Sequence, residues 1–315
     1  MKTPAWHQVE QDIRIGFAMV ADLVWQITGA DGRGEAAAKA VLGIDEAPGY
    51  LLADNLDDRD TLNSFDVENT EFFQVAKKAH RLVLPDQRLN DVDVSDNRLL
   101  TEQYLNYFIR AIPRDSVGAY DAPYLFQDPE GALQVLLAQY RAKLDLAEMV
   151  QELVTDSSSV IGVGFTPADV AALGQMNLRS VRNHFGPKGN KAIKSYVIGS
   201  SAERSDLVMG DPLDSLEWLA ARRGFQPGGI SQNWANKHLE RLSSLEKAAA
   251  FAGVFAWCNS TTTEAAAQRL GWEPERFSRW VRSDVEKPGE AEKVASVIGL
   301  DPTAYVSTIE RLLSD

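Results

Sequence analysis

Thr263–Arg282 (TEAAAQRLGWEPERFSRWVR) carries four residues whose spacing decides the fold. Gly271 follows Ala267 by four residues, Phe277 comes six later and Trp280 three beyond that. Two helices that cross steeply need a small residue where they touch, a turn that accepts a left-handed backbone, and apolar side chains on the inner face of the second helix. These positions supply each in turn, so the stretch is predicted to fold as a helix-turn-helix. The outer face of its second helix is then left to enter a groove.

Working outward, the pattern predicts helices over Ser243–Cys258, Thr262–Leu270, Pro274–Arg282 and Glu290–Ile298, and a last one after Gly299–Pro302 (GLDP). Pro274 suits a first helical turn, where its missing N–H costs little. The five helices from about Ser243 to Leu313 resemble the lambda-repressor-like (XRE) domains. That resemblance implies base contacts from Arg276, Ser278 and Arg279, with Arg282 near the DNA backbone. Glu273 and Glu275 stand at the front of the same helix, where they would repel phosphate or accept from cytosine. They also suit a helix N-terminus electrostatically, so a partner-binding domain built on the same fold stays open.

The pattern recurs upstream. Thr166-Pro167 starts a helix, Met176-Asn177 is read as a turn, and Leu178–Phe185 is read as the next helix. Ala171 and Val181 are ten residues apart, as Ala267 and Phe277 are, but Gly174 comes one residue early and Gln175 takes the turn position. Ile193–Ile198 has strand character with Gly/Ser turns on both sides, which predicts a β-hairpin wing. The segment Phe165–Pro227, with Ser180-Val181-Arg182-Asn183 and Trp218–Phe225 (WLAARRGF), resembles the winged helix-turn-helix modules of the excisionase and MerR type found in bacterial regulators. The resemblance implies that Arg179, Arg182 and Asn183 face the major groove, that Asn177 and Ser180 belong to the same DNA-facing set, and that Lys188, Lys191 and Lys194 meet phosphates near the wing. Arginine pairs well with guanine and asparagine with adenine, because each can form two hydrogen bonds to its base edge.

A net charge of −13 over 315 residues argues against a nucleic-acid ligand only if it is evenly spread. It is not: residues 1–155 hold 26 acidic against 14 basic side chains, leaving 19 and 18 for the rest. Gln175–Ser195 carries Arg179, Arg182, Lys188, Lys191 and Lys194 with no acid, a patch suited to a phosphate backbone. The acidic half reads as helical over Trp6–Thr28, Asn69–Val83, Thr101–Ile112 and Pro129–Val154, with an exposed loop at Asp54–Asn69. Thr155–Ser159 reads as a linker, and Gln226–Gly229 as a second break before an N-cap at Ser231.

The expected fold is therefore mainly α. A multi-helical acidic domain for assembly or sensing (1–155) is followed by a winged helix-turn-helix (156–228) and a lambda-repressor-like domain (229–315). Apolar runs fall short of the ~20 residues that span a bilayer, and the N-terminus lacks a signal-like apolar core, so a cytoplasmic protein is expected. With one cysteine and four scattered histidines, no metal, cofactor or enzymatic activity is expected. Asp91, Asp93, Ser95, Asn97 and Glu102 have calcium-loop spacing but lack the turn glycine, and an N-cap at Asp96 is the simpler explanation. The function these signals favour is sequence-specific binding of double-stranded DNA by a homodimeric transcriptional regulator. An interaction adaptor that docks proteins on the same folds is the alternative.

Overall fold

A computed structural model describes residues 2–28, 32–44, 59–100, 104, 131–155, 164–186, 192–198, 207–282 and 288–314. It is mainly helical, with one small three-stranded sheet. Contacts divide the chain into two compact units, one of residues 3–82 and 95–140, the other of residues 1–2, 83–94 and 141–315. The segments 156–228 and 229–315, assigned above to separate domains, both lie in the second unit. No helix among the described residues is long and apolar enough to cross a membrane.

The first unit is built from α1 (Trp6–Thr28), α2 (Arg33–Leu42), α3 (Arg59–Asn63), α4 (Glu71–Val83), most of α5 (Val94–Leu100) and the start of α6 (Ala132–Leu153). Arg14 organises it from within α1. Its guanidinium is 4% exposed and donates to the carbonyls of Leu62 and Phe65 while pairing with Glu10 and Glu68, so the buried charge is fully satisfied. This contact corrects the expected exposed loop at Asp54–Asn69. Within its described residues a short helix forms, and Leu62, Phe65 and Val67 are buried. The predicted helix Thr101–Ile112 lies outside the described residues, apart from Tyr104. Asp96 sits in the first turn of α5 and not ahead of it, so it is not the N-cap. Asp12 caps α6 from a distance by accepting from Leu133 N at 2.9 Å, and burial raises its carboxyl pKa despite that bond.

In the second unit, α7 (Pro167–Leu173) and α8 (Leu178–Arg182) are followed by β1 (Phe185–Gly186), β2 (Ile193–Ile198), β3 (Leu207–Gly210) and α9 (Pro212–Ala220). The sheet order is β1-β2-β3: β2 runs parallel to β1 and antiparallel to β3, which pairs Ser195 with Gly210 and Ile198 with Leu207. The wing is thus present. The helix expected through Phe185 ends at Arg182, because Phe185 and Gly186 join the sheet. Next come α10 (Gln232–His238), α11 (Leu245–Cys258), α12 (Thr263–Leu270), α13 (Pro274–Val281), α14 (Pro288–Ile298) and α15 (Pro302–Ser314). Ser231 occupies the N-cap position of α10, though its side chain makes no capping bond.

Lys143 on α6 is 3% exposed, and its amine donates to the carbonyls of Leu84 and Gln87 at 3.0 Å each. Burial lowers its pKa from 10.5 to about 8, with Asp86 opposing the shift. Between those two values the folded state binds fewer protons than the unfolded state, so stability rises as pH climbs through about 8. Urea unfolding at about pH 7 and about pH 9 is expected to show wild type gaining about 1 kcal/mol relative to Lys143→Met over that interval. Equal pH responses in the two proteins would contradict the buried, depressed amine.

Candidate nucleic-acid interface

Local sequence chemistry fixes the entrance to the middle helix-turn-helix. Thr166 and Asp169 form a reciprocal cap: the hydroxyl accepts from Asp169 N, and the carboxylate accepts from Thr166 N at 2.8 Å. Burial raises the Asp169 pKa, while its bonds to Thr166 work in the opposite direction. At the turn, Gly174 keeps a right-handed backbone and Gln175 itself takes the left-handed conformation, with φ of 53°. The early glycine therefore does not abolish the turn; the residue after it adopts the strained conformation. Met176 N closes the turn onto Ala171 O at 2.8 Å.

Asn177 caps α8, its side-chain oxygen accepting from Arg179 N at 2.9 Å. Val181 is fully buried and fastens the inner face, while Asn177, Arg179, Ser180, Arg182 and Asn183 are exposed. Neither Arg179 nor Arg182 has a carboxylate partner among the described residues. His184, just beyond the helix, lies 4.9 Å from the Trp218 ring of α9. On β2, Ile193 is buried and Lys194 is exposed, its backbone N–H donating to Asp214 at 3.1 Å. Lys188 and Lys191 lie outside the described residues.

In the C-terminal module, Ala267, Phe277 and Trp280 are buried as their spacing required. Gly271 is left-handed, with φ of 69°, and nothing would crowd a side chain there, so its role is conformational. The outer face of α13 differs from the sequence expectation. Arg279 is exposed, but Arg276 stacks over Trp272 at 4.3 Å and pairs with Glu290 at 2.7 Å. Ser278 and Arg282, expected at a base edge and a DNA backbone, instead engage the middle module. Ser278 Oγ donates to Glu217, and Arg282 pairs with Asp214 at 2.6 Å and Glu217 at 2.8 Å.

Glu217 is the centre of this contact. Besides Ser278 and Arg282 it accepts from Thr263 Oγ1 at 2.8 Å, and Thr263 in turn accepts from the buried Trp257 indole at 3.1 Å. Burial alone would lower the Arg282 pKa, but the Glu217 and Asp214 carboxylates more than offset it and leave it raised. Asp214 and Glu217 went unnoticed in the sequence because acids three apart on a helix are usually solvated. The cluster of His184 and Arg222 against the Trp218 ring likewise gives no sequence signal beyond residue type. Among the described residues, no group of His, Cys, Asp or Glu is arranged to hold a metal ion. No family model, curated protein or solved structure matches the chain.

Removing the Glu217 carboxylate leaves the Ser278 and Thr263 hydroxyls without this acceptor and Arg282 with Asp214 as its remaining carboxylate, so Glu217→Ala is expected to lower stability by roughly 1–3 kcal/mol in chemical denaturation. The Arg282 side chain retains 32% exposure. Arg282→Ala should therefore cost less, about 1 kcal/mol or below. Because the two share one contact, the double variant should lose less than the sum of the singles. Strict additivity would show that the cluster is not coupled.

Proposed function

We propose that this chain is a sequence-specific DNA-binding protein, a cytoplasmic transcriptional regulator whose middle module reads the major groove through α8. One observation carries the reading. The outward face of α8 presents Arg179, Ser180, Arg182 and Asn183 together, with both guanidinium groups lacking a carboxylate partner among the described residues. Exposed arginine and asparagine on a short helix, beside a wing bearing Lys194, offer both base-edge donors and backbone cations. A homodimer would present two such helices to half-sites about 34 Å apart on one face of the duplex.

The C-terminal module takes a supporting role in this reading. Three of its four expected DNA contacts, Arg276, Ser278 and Arg282, are already bonded within the chain, and Glu273 and Glu275 are exposed beside Arg279. Such a mixed-charge face suits a protein partner better than a phosphate backbone, which favours docking for this module.

Titration of labelled duplexes drawn from a randomised pool, at several salt concentrations, tests the proposal. Wild type is expected to bind with affinity that falls as salt rises, and Arg179→Glu with Arg182→Glu should weaken binding by about 100-fold or more. Because both sites are exposed, stability should change by no more than about 0.5 kcal/mol per substitution. Absence of binding at low salt, or binding indifferent to the two reversals, would overturn the reading.

A further inference from the structure

Arg222 occupies the turn after α9, exposed, with its guanidinium carbon 4.4 Å from the centre of the Trp218 indole. Trp218 is 8% exposed, so the ring is a fixed platform and not a mobile neighbour. The same ring lies 4.9 Å from His184, immediately beyond the C-terminal end of α8. Two residues after Arg222, Gly224 packs against the turn that precedes α8: a Cβ there would come within 2.2 Å of Gly174 O and 3.2 Å of the Gln175 Cβ. The Arg222–Gly224 segment thus lies between the ring beside His184, past the end of α8, and the turn that precedes α8.

We propose that Arg222 is a further DNA-backbone contact, its guanidinium held beside α8 by the Trp218 ring and offered to a phosphate as Arg179 and Arg182 enter the groove. The inference rests on the DNA-reading function proposed above. Stacking leaves the planar donors of arginine at the rim of the ring, where a phosphate oxygen can take two of them without displacing the aromatic contact. A side chain already held in one place loses less freedom on binding than one that must be ordered. Arg223 supplies the internal comparison, being exposed next in sequence with no aromatic platform among the described residues.

Fluorescence anisotropy of a labelled mixed-sequence duplex, from about 50 to about 200 mM salt, is the test. Arg222→Gln is expected to weaken binding several-fold irrespective of sequence and to reduce the slope of log affinity against log salt by about 1. Arg222→Lys should restore the slope, since the charge remains, while recovering only part of the affinity. Arg223→Gln removes the same charge and should have the smaller effect. A wild-type slope in Arg222→Gln, or equal losses in Arg222→Gln and Arg223→Gln, overturns the role of Arg222 and leaves the DNA reading intact. A wild-type protein that binds no duplex at low salt overturns the DNA reading itself, and this inference with it.

Discussion

Beyond its first two residues, the helix Leu245–Cys258 has no wet side. Every residue from Lys247 to Cys258 is buried, and α9 from the middle module packs on it together with α13, α14 and α15 from the C-terminal one. A helix enclosed in this way needs small apolar residues where neighbouring backbones come near, and Ala248, Ala249, Ala250, Ala252 and Ala256 provide them. Lys247 is the exception in composition but not in physics, because its amine reaches the carbonyl of Thr155 at 3.1 Å. Burial also raises the Cys258 thiol pKa to about 12, which leaves it protonated and inert.

Around that shared core, the arginines divide into two kinds. Those on the C-terminal third helix are mostly spent on internal partners, Arg276 on Glu290 and Arg282 on Asp214 and Glu217. Those on and beside α8, Arg179, Arg182 and Arg222, have no ion pair among the described residues. Two modules with similar sequence spacing thus present different chemistry to their surroundings. A cation already neutralised within the fold contributes little to holding an anionic polymer, whereas one left in solvent contributes fully.

What could be read from the sequence was whatever local chemistry dictates. Gly271, Phe277 and Trp280 were legible because a left-handed turn and a buried inner face constrain residue type at fixed spacing. The expected helix Trp6–Thr28 has the same bounds as α1. Other features depended on distant partners. Helix α3 (RDTLN) looks like a polar loop until Arg14 is seen reaching the carbonyls of Leu62 and Phe65. Strand β3 is too short to announce itself and exists through its pairing with β2. Ser278 and Arg282 sit on the outer face of an amphipathic helix, and nothing nearby reveals that their acceptors lie 61 to 68 residues upstream.

Helix α9 both closes the middle module and bears the carboxylates that α13 grips, so the outward faces of α8 and α13 belong to one body with a set separation. Recognition elements joined by a slack tether accept a range of intervals between their targets, but elements fused through common packing accept one. If α8 reads a duplex and α13 docks a protein, as proposed above, such a molecule would act as a ruler, holding the partner at one interval and rotational phase from the DNA.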